Sequence, residues 1–528
     1  MSTKGYFLAD LAFFGCLAVV LIISAGGHIV VGDEETMYRL TQNMLVGRGV
    51  AVGSENLVIP AQGYDGFIPS KDEILPTTSA IPGNGGRTYS KYGLGQSFAA
   101  VPLFLIGSWL AQISGSSIDL PRLIVSFLNA LILAGCGILV VLTARLLGFH
   151  TRTARWLAVA TLFSTFAWPY VKTFYPQPGV AVLLLGAFYS ALSWRLTGRR
   201  YWLWIFSIII IALLLFRISE IIALPAFMLY FAIISPKERR WSWVLPMSIG
   251  ILGGIVLTMA YNWIRFGSVL STGYNEIAWN MPVWIGLYGL LLSPGKGVLI
   301  YTPLLILSLL AWFYFRRRHN EEAWLIAGLW LSFLVFYSPY KYWTGGFNWG
   351  PRFLLPLIPL GILPIGEILE GNKTRFAWAS FYVLFSLGLF IQLPAIVVDH
   401  SRYLYQQVYE SGDPNAYSRT IFEGKYSPVV KQWPVVIDLL KLYGKSTTWE
   451  SAADSLKELA KYGDSLDVQN GRSLLIAEFM RRNSPDLWWL TLDLVRSNPA
   501  WYWMILPWMV LGGVSVGLLW WSHVRYTH

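Results

Sequence analysis

The sequence predicts an all-α polytopic membrane protein, and three observations carry that prediction. Of 528 residues, 55% are hydrophobic and only 13% are charged, where a soluble domain carries roughly 25% charge. Mean hydropathy is +0.50. Apolar runs of about 20 residues, the length that spans a bilayer, recur along the chain. The net charge of +11 calls for no nucleic-acid partner, because cytoplasmic loops of membrane proteins are rich in Lys and Arg. Cys16 and Cys136 both lie inside apolar runs and read as small buried hydrophobes. Six histidines without His-x-x-x-His spacing, and no Cys-x-x-Cys, give no metal motif. No cofactor is expected to be required.

The first apolar run, 7–31, is too long for a signal segment and lacks a small-x-small cleavage site, so it reads as an uncleaved helix. Later spans start near Leu123, Trp156, Val180, Trp202, Ile218, Val244, Val298, Ala323, Phe353, Ala377 and Trp501, for a bundle of about 12 helices. The basic stretches ARLLGFHTRTAR, WRLTGRR, PKERR, RRRH and NKTR, and finally Arg525, fall at every second connection. Positive residues stay inside, so both termini read as cytoplasmic in a cell (inner) membrane. Counting SFAAVPLFLIGSWLAQISG (97–115) as a span would invert every later loop. It therefore reads as an interfacial or re-entrant helix within a long outer loop, 32–120. The expected organisation is a membrane module over 1–396, a helical extracytoplasmic segment over 397–500, and a last span and tail over 501–528. In the second of these, TTWESAADSLKELAKYG offers a helix start between Thr448 and Ser451.

Parity also places cations where the orientation bias disfavours them: Arg87, Lys91, Lys172, Arg217, Arg265, Lys296, Lys341 and Arg352. Each alone fits snorkelling along apolar surface. Together they fit a shared anionic ligand, with phosphate the obvious candidate. In GDEETMYRLTQNML (32–45), Met37, Leu40, Met44 and Leu45 recur at helical spacing. One reading is an amphipathic helix from near Glu34, with Asp33 as N-cap and Glu34 and Glu35 complementing the dipole. The other makes Asp33, with Glu34 beside it, a general base at the membrane edge. The cations would then stabilise a phosphate leaving group.

The outer loops also carry polar and aromatic sets. TYSKYGLGQS brings Tyr89, Lys91, Tyr92 and Gln96 together; KTFYPQPG adds Tyr175 and Gln177; GSVLSTGYNEIAWN adds Tyr274, Asn275 and Glu276. SPGKG sets Lys296 between two glycines, which is either a tight turn or a close backbone approach to an anion. YKYWTGGFNWGPRFLLPLIPL places Trp343, Phe347, Asn348 and Trp349 ahead of Arg352. Such aromatics serve as interfacial belts or as stacking faces for a sugar.

GDE after the first helix, YSKYGLGQS, SPGKG and GGFNWGPRFLLPLIP occur in that order across 5–395. In these motifs the chain resembles the polytopic, lipid-phosphate-sugar-dependent glycosyltransferases of the GT-C fold. That class holds the protein O-mannosyltransferases, the lipid A aminoarabinose transferase and the mycobacterial arabinofuranosyltransferases. The resemblance implies juxtamembrane helices in the first outer loop. It implies inverting transfer of a sugar from a polyprenyl-phosphate donor to a glycan, lipid or protein hydroxyl outside the cytoplasm. Asp33 falls at the catalytic carboxylate, and Lys91 at a lysine that contacts the lipid phosphate. Arg352 matches an arginine near the donor pocket, and Arg217 and Lys296 join it as phosphate-binding candidates. Tyr89, Tyr92, Tyr175, Gln177, Tyr274, Asn348 and Trp349 are the substrate-binding candidates. Gln177 stands where relatives often carry an acid, so a divalent metal is not expected to be required. Two other classes stay open: a transporter or flippase of an anionic lipid-linked substrate, and a glycan ligase or polymerase with a pyrophosphate-linked donor. Transporters favour midplane charges and inverted repeats. Here the spans are nearly free of charge and no internal repeat is visible.

Overall fold

The computed structural model describes residues 3–30, 32–54, 59–60, 74–75, 80–114, 119–235, 241–274, 278–371, 374–442, 485–490 and 512. Asn275, Glu276, Thr448–Ser451 and the span expected from Trp501 lie outside them. Among the described residues, five helical stretches are long and apolar enough to cross a membrane: Leu120–Leu146, Gln177–Thr197, Val244–Phe266, Arg352–Leu369 and Arg375–Val397. Four shorter apolar helices accompany them.

In chain order the first helices are α1 (Thr3–Ile23), α2 (Gly32–Leu45), α3 (Gly95–Ala99), α4 (Val101–Ser114), α5 (Leu120–Ser126), α6 (Leu128–Leu146) and α7 (Thr151–Phe163). Then come α8 (Gln177–Thr197), α9 (Tyr201–Phe216), α10 (Leu224–Ile234), α11 (Val244–Phe266), α12 (Val283–Leu291) and α13 (Val298–Tyr301). The last are α14 (Leu304–Arg318), α15 (Asn320–Tyr337), α16 (Ile358–Ile362), α17 (Ile365–Leu369), α18 (Thr374–Val397), α19 (Arg402–Tyr405), α20 (Ala416–Phe422) and α21 (Pro428–Leu442).

The long helices alternate in direction, and charge marks their two ends. At one end Asp10 of α1 meets Arg145 of α6 at 2.6 Å, and Arg195 of α8 meets Glu321 of α15 at 2.7 Å. His319 meets Glu367 of α17 at 3.2 Å, and His150 meets Glu370 at 3.1 Å. The connections that carry Arg145 and His150, Arg195, and His319 thus lie at this end; PKERR, Lys373 and Arg525 lie outside the described residues. The opposite ends of the same helices carry Lys172, Gln177, Arg217, Arg265, Tyr337, Arg352 and Asp399, around a cavity.

Segment 97–115 does not run between the two ends. The chain enters this segment beside Lys91 and leaves it at Arg122, which pairs with Glu35; both lie at the cavity end. A Cβ at Gly107 would stand 2.6 Å from Pro121 Cα, so α4 lies against α5. Its other face leaves Leu105, Ile106, Trp109 and Ile113 exposed.

Two details depart from expectation. A small antiparallel sheet orders β1 (Gly53–Ser54), β5 (Arg87–Ser90) and β4 (Ala80–Pro82), with Ile81 opposite Tyr89. Two short strands, β2 (Ile59–Pro60) and β3 (Ile74–Leu75), pair separately. Strand β5 ends at Ser90 and delivers Lys91 to the cavity. The second departure is α2, which starts at Gly32 with Asp33 inside its first turn, so Asp33 is not the N-cap. Nor does α2 turn its polar face to solvent: Glu34 through Asn43 are all buried. Its polar groups bond to protein, as when Thr41 donates to the Ser97 carbonyl (2.9 Å) and Asn43 to that of Ala51 (2.7 Å).

Candidate functional site

The cavity has a volume of about 930 Å³, a size that holds a small-molecule ligand. Ten sequence candidates line it: Asp33, Glu34, Lys91, Tyr92, Tyr175, Gln177, Arg217, Tyr274, Asn348 and Arg352. Tyr89, Lys296 and Trp349 are outside its lining.

The first turn of α2 gives its three acids three different partners. Asp33 Oδ1 lies 3.5 Å from Lys91 Nζ. Glu34 Oε1 accepts the Phe174 N–H at 3.0 Å, tying α2 to the loop that carries Tyr175. Glu35 accepts from Arg39 Nε at 2.6 Å and from Arg122. Asp33 is turned to the cavity and ion-paired there.

Lys91 is held from behind. Arg265, at the end of α11, donates to the carbonyl of Ser90 and to that of Tyr92 (3.2 Å), the two residues flanking Lys91. The same guanidinium bonds Asn262 and lies 3.9 Å from the Tyr261 ring centroid. The lysine ammonium stands over Tyr92 and Tyr274, at 5.4 and 5.7 Å. Arg265→Met is expected to free this segment, raising hydrogen exchange of peptide 87–94 by about tenfold, the effect of losing ~1.4 kcal/mol. Arg265→Lys, which keeps one donor, should fall between; wild-type exchange in both variants would remove the clamp.

Arg217 sits where α9 breaks: its backbone is extended (φ −154°, ψ 116°) before a 3₁₀ turn over Ile218–Ala223. Three motif glycines explain the placement. A Cβ on Gly95 or Gly179 would collide with the Phe216 ring, and one on Gly93 with the Leu215 carbonyl. YSKYGLGQS and FYPQPG therefore close around Phe216, and Arg217 emerges beside them. Arg352 arrives from a separate segment, at the start of the turn that follows α15 and its glycine loop. Both guanidiniums lie against one ring, Phe353, at 5.2 and 5.0 Å. Phe353 in turn stacks on Tyr337 with centroids 4.5 Å apart. Arg352 also stands 5.3 Å over Tyr175.

Lys296 takes a different part from the one expected. Its ammonium donates to the carbonyls of Gly346 (2.8 Å) and Asn348 (2.5 Å), inside the turn that leads to Arg352. Gly345 and Gly346 have φ of +72° and +81° there, a conformation open to glycine. The flanking Gly295 is pressed against Thr420 and Ile421, and its N–H bonds the Ile421 carbonyl at 3.0 Å. SPGKG is thus a packed turn that shapes the Arg352 loop. Trp349 is buried and donates to Gln392 at 2.8 Å. Tyr89 donates to the Asn84 carbonyl at 3.0 Å and packs edge-on against Phe266. Both serve the frame rather than the cavity.

Burial first, then Asp33, pushes the Tyr92 and Tyr175 phenols well above their ordinary range. Burial also raises Tyr274, against the pull of Arg217. All three remain protonated donors. Arg352 and Asp33 both act on each of the three rings, so acid, cations and phenols share one neighbourhood.

Of the other lining residues, Lys172 is one of the outer cations of the sequence, whereas Asp399, His400, Ser401 and Tyr405 were not singled out. Lys172 is buried and bonds Asp486, whose carboxylate lies 3.1 Å from its Nζ and 2.6 Å from His28 Nε2. Lys172 and His28 outweigh burial and hold the Asp486 carboxyl far below its usual range. Asp399, His400, Ser401 and Tyr405 form a further wall. An Asp-His-Ser run directly after the apolar stretch of α18 was the available signal. Among the described residues, no three His, Cys, Asp or Glu side chains gather as metal ligands.

No family model and no curated protein sequence matches the chain. Among solved structures, the chain is similar to ArnT from Cupriavidus metallidurans bound to undecaprenyl phosphate. Identity is 12% and the TM-score 0.44, over 91% of this chain and 76% of that one. It is also similar to the archaeal oligosaccharyltransferase AglB from Archaeoglobus fulgidus, in complex with an inhibitory peptide and a dolichol-phosphate. There identity is 13% and the TM-score 0.35, over 91% of this chain and 56% of that one.

Proposed function

We propose that the chain is an integral-membrane glycosyltransferase that moves a sugar from a polyprenyl-phosphate donor to a hydroxyl acceptor on the extracytoplasmic side. One observation carries the reading. Asp33 meets Lys91 in a cavity where Arg217 and Arg352 converge on Phe353 from two walls. Arginine and lysine suit a phosphate monoester or diester. Leu214, Leu215, Phe216 and Ile218 line the same cavity and offer an apolar wall to an isoprenoid chain. Tyr92, Tyr175, Tyr274, Gln177 and Asn348 supply hydrogen bonds to the sugar.

In the proposed step the acceptor oxygen attacks the anomeric carbon from the face opposite the phosphate. The new C–O bond forms as the bond from that carbon to the phosphate oxygen breaks. The acceptor proton passes to Asp33, and polyprenyl phosphate leaves with the electron pair, its charge met by Lys91, Arg217 and Arg352. A single displacement inverts the anomeric centre. No step uses a metal.

The test is direct. Purified protein in lipid nanodiscs is incubated with a panel of polyprenyl-phosphate sugars and a membrane-extract acceptor pool, and released polyprenyl phosphate is measured. Release from one donor supports the reading; a folded protein that releases none from the whole panel refutes it. Within the active pair, Lys91→Ala should raise the donor KM by roughly 10- to 100-fold, the loss of one charge-assisted bond of ~1.5–3 kcal/mol. An unchanged KM would return Lys91 to snorkelling.

A further inference from the structure

We infer that Tyr417, in the segment that follows α18, is a positioning residue for Arg352 and, through it, for the donor phosphate. The inference rests on the donor reading proposed above and adds a residue that does not itself line the cavity.

Arg352 depends on the loop before it. A Cβ on Gly345 would stand 2.7 Å from Arg352 Cγ and 2.9 Å from its Nε, so the arginine side chain lies directly on the bare backbone of Gly345. Gly345 has a φ of +72°, a conformation open to glycine. Two rings complete the seat, Tyr175 and Phe353, with centroids 5.3 and 5.0 Å from the guanidinium carbon. Such a seat is only as firm as the backbone beneath it.

Tyr417 grips the residues on both sides of Gly345. Its phenol shares one proton between Thr344 Oγ1 at 2.9 Å and the Gly346 carbonyl at 3.2 Å. The same carbonyl accepts from the Lys296 ammonium at 2.8 Å. The loop is therefore held by Lys296 from the turn before α13 and by Tyr417 from α20. The Tyr417 ring packs against Phe347, with centroids 5.4 Å apart. Burial raises the phenol above its ordinary value, against the pull of Thr344 and Arg352, so it stays a protonated donor.

The helix that carries Tyr417 is anchored. The Ile421 carbonyl accepts the Gly295 N–H at 3.0 Å, and Ser427 donates to the Pro294 carbonyl at 2.6 Å. Phe422 stacks on Tyr288 of α12, with centroids 6.2 Å apart. Residues 294–296 and 417–427 thus grip the loop as one block. Neither Tyr417 nor Thr344 lines the cavity, so Tyr417 reaches a bound phosphate only through Arg352.

The full chain in lipid nanodiscs tests this, with undecaprenyl phosphate as the probe. Tyr417→Phe keeps the ring and removes the hydroxyl. It should raise hydrogen exchange of peptide 342–350 about fivefold, the effect of losing ~1 kcal/mol. It should also raise the undecaprenyl phosphate Kd about fivefold, for the same loss. Arg352→Ala leaves the loop no arginine to position, so adding Tyr417→Phe to it should raise Kd no further. A merely structural role would add its full effect in that background. Exchange or affinity at the wild-type level in Tyr417→Phe, or full additivity with Arg352→Ala, overturns the inference while the donor reading stands. A wild-type chain that fails to bind undecaprenyl phosphate sinks the donor reading itself, and with it the part given to Tyr417.

Discussion

Asp33→Asn is expected to lower kcat for sugar transfer by about 10²- to 10⁴-fold, the usual worth of a positioned general base. The amide keeps the shape of the carboxylate and an oxygen 3.5 Å from Lys91, but it cannot take a proton at neutral pH. Donor binding should survive, because removing a negative charge beside Lys91, Arg217 and Arg352 leaves the cations more attractive to phosphate. The signature is therefore a collapse of kcat with an unchanged or lower donor KM. Kinetics of polyprenyl phosphate release and direct donor titration separate the two terms. A kcat within about threefold of wild type, where an essential base would cost at least 10², would remove Asp33 from the chemistry. Glu34→Gln makes a useful contrast. Glu34 uses its Oε1 to accept the Phe174 N–H, and glutamine offers the same oxygen, so the drop there should be far smaller.

What could be read from the sequence was what composition and charge determine locally. The basic connections alternate because orientation sorts Lys and Arg by side, and the ion pairs at the end opposite the cavity follow from that sorting. That 97–115 enters and leaves at the cavity end was legible from parity for the same reason. The cavity was legible in part: Asp33, Lys91, Arg217 and Arg352 share it, though hundreds of residues separate the first from the last. What stayed hidden depends on contacts between distant segments. Nothing in SPGKG tells that Lys296 will find the carbonyls of 346 and 348. The glycines of YSKYGLGQS look like turn residues until Phe216 lies against them. Asp486 reaches Lys172 across 314 positions, and no local pattern announces it. Strands of two to four residues, such as β1 and β5, are too short for a period to register.

The second large effect is expected at Glu35, where the consequence is stability rather than rate. Glu35→Ala should destabilise the fold by about 3–5 kcal/mol, the range for breaking a buried ion pair from one side. The carboxylate, 1% exposed, is shared by Arg39 and Arg122, and Arg122 also packs 4.3 Å over the Tyr38 ring. Removing it takes from Arg39 and Arg122 the buried carboxylate they share, leaving Arg122 the more exposed Asp119, 3.2 Å from its Nε. The strain falls on α2, which carries Asp33, so activity should vanish along with the ordered helix. The pH dependence gives an independent check. Burial alone would raise the Glu35 carboxyl, but Arg122 and Arg39 outweigh it and hold it below its ordinary value of 4.5. A depressed carboxyl contributes stability that is complete above the ordinary value and is lost as pH falls through the folded one. Glu35→Gln should therefore weaken the protein at neutral pH and flatten the acid limb of its stability profile. Unfolding midpoints measured from neutral pH down to pH 3 would show it; a variant that tracks wild type across that window would mean the triad does not hold α2 in place.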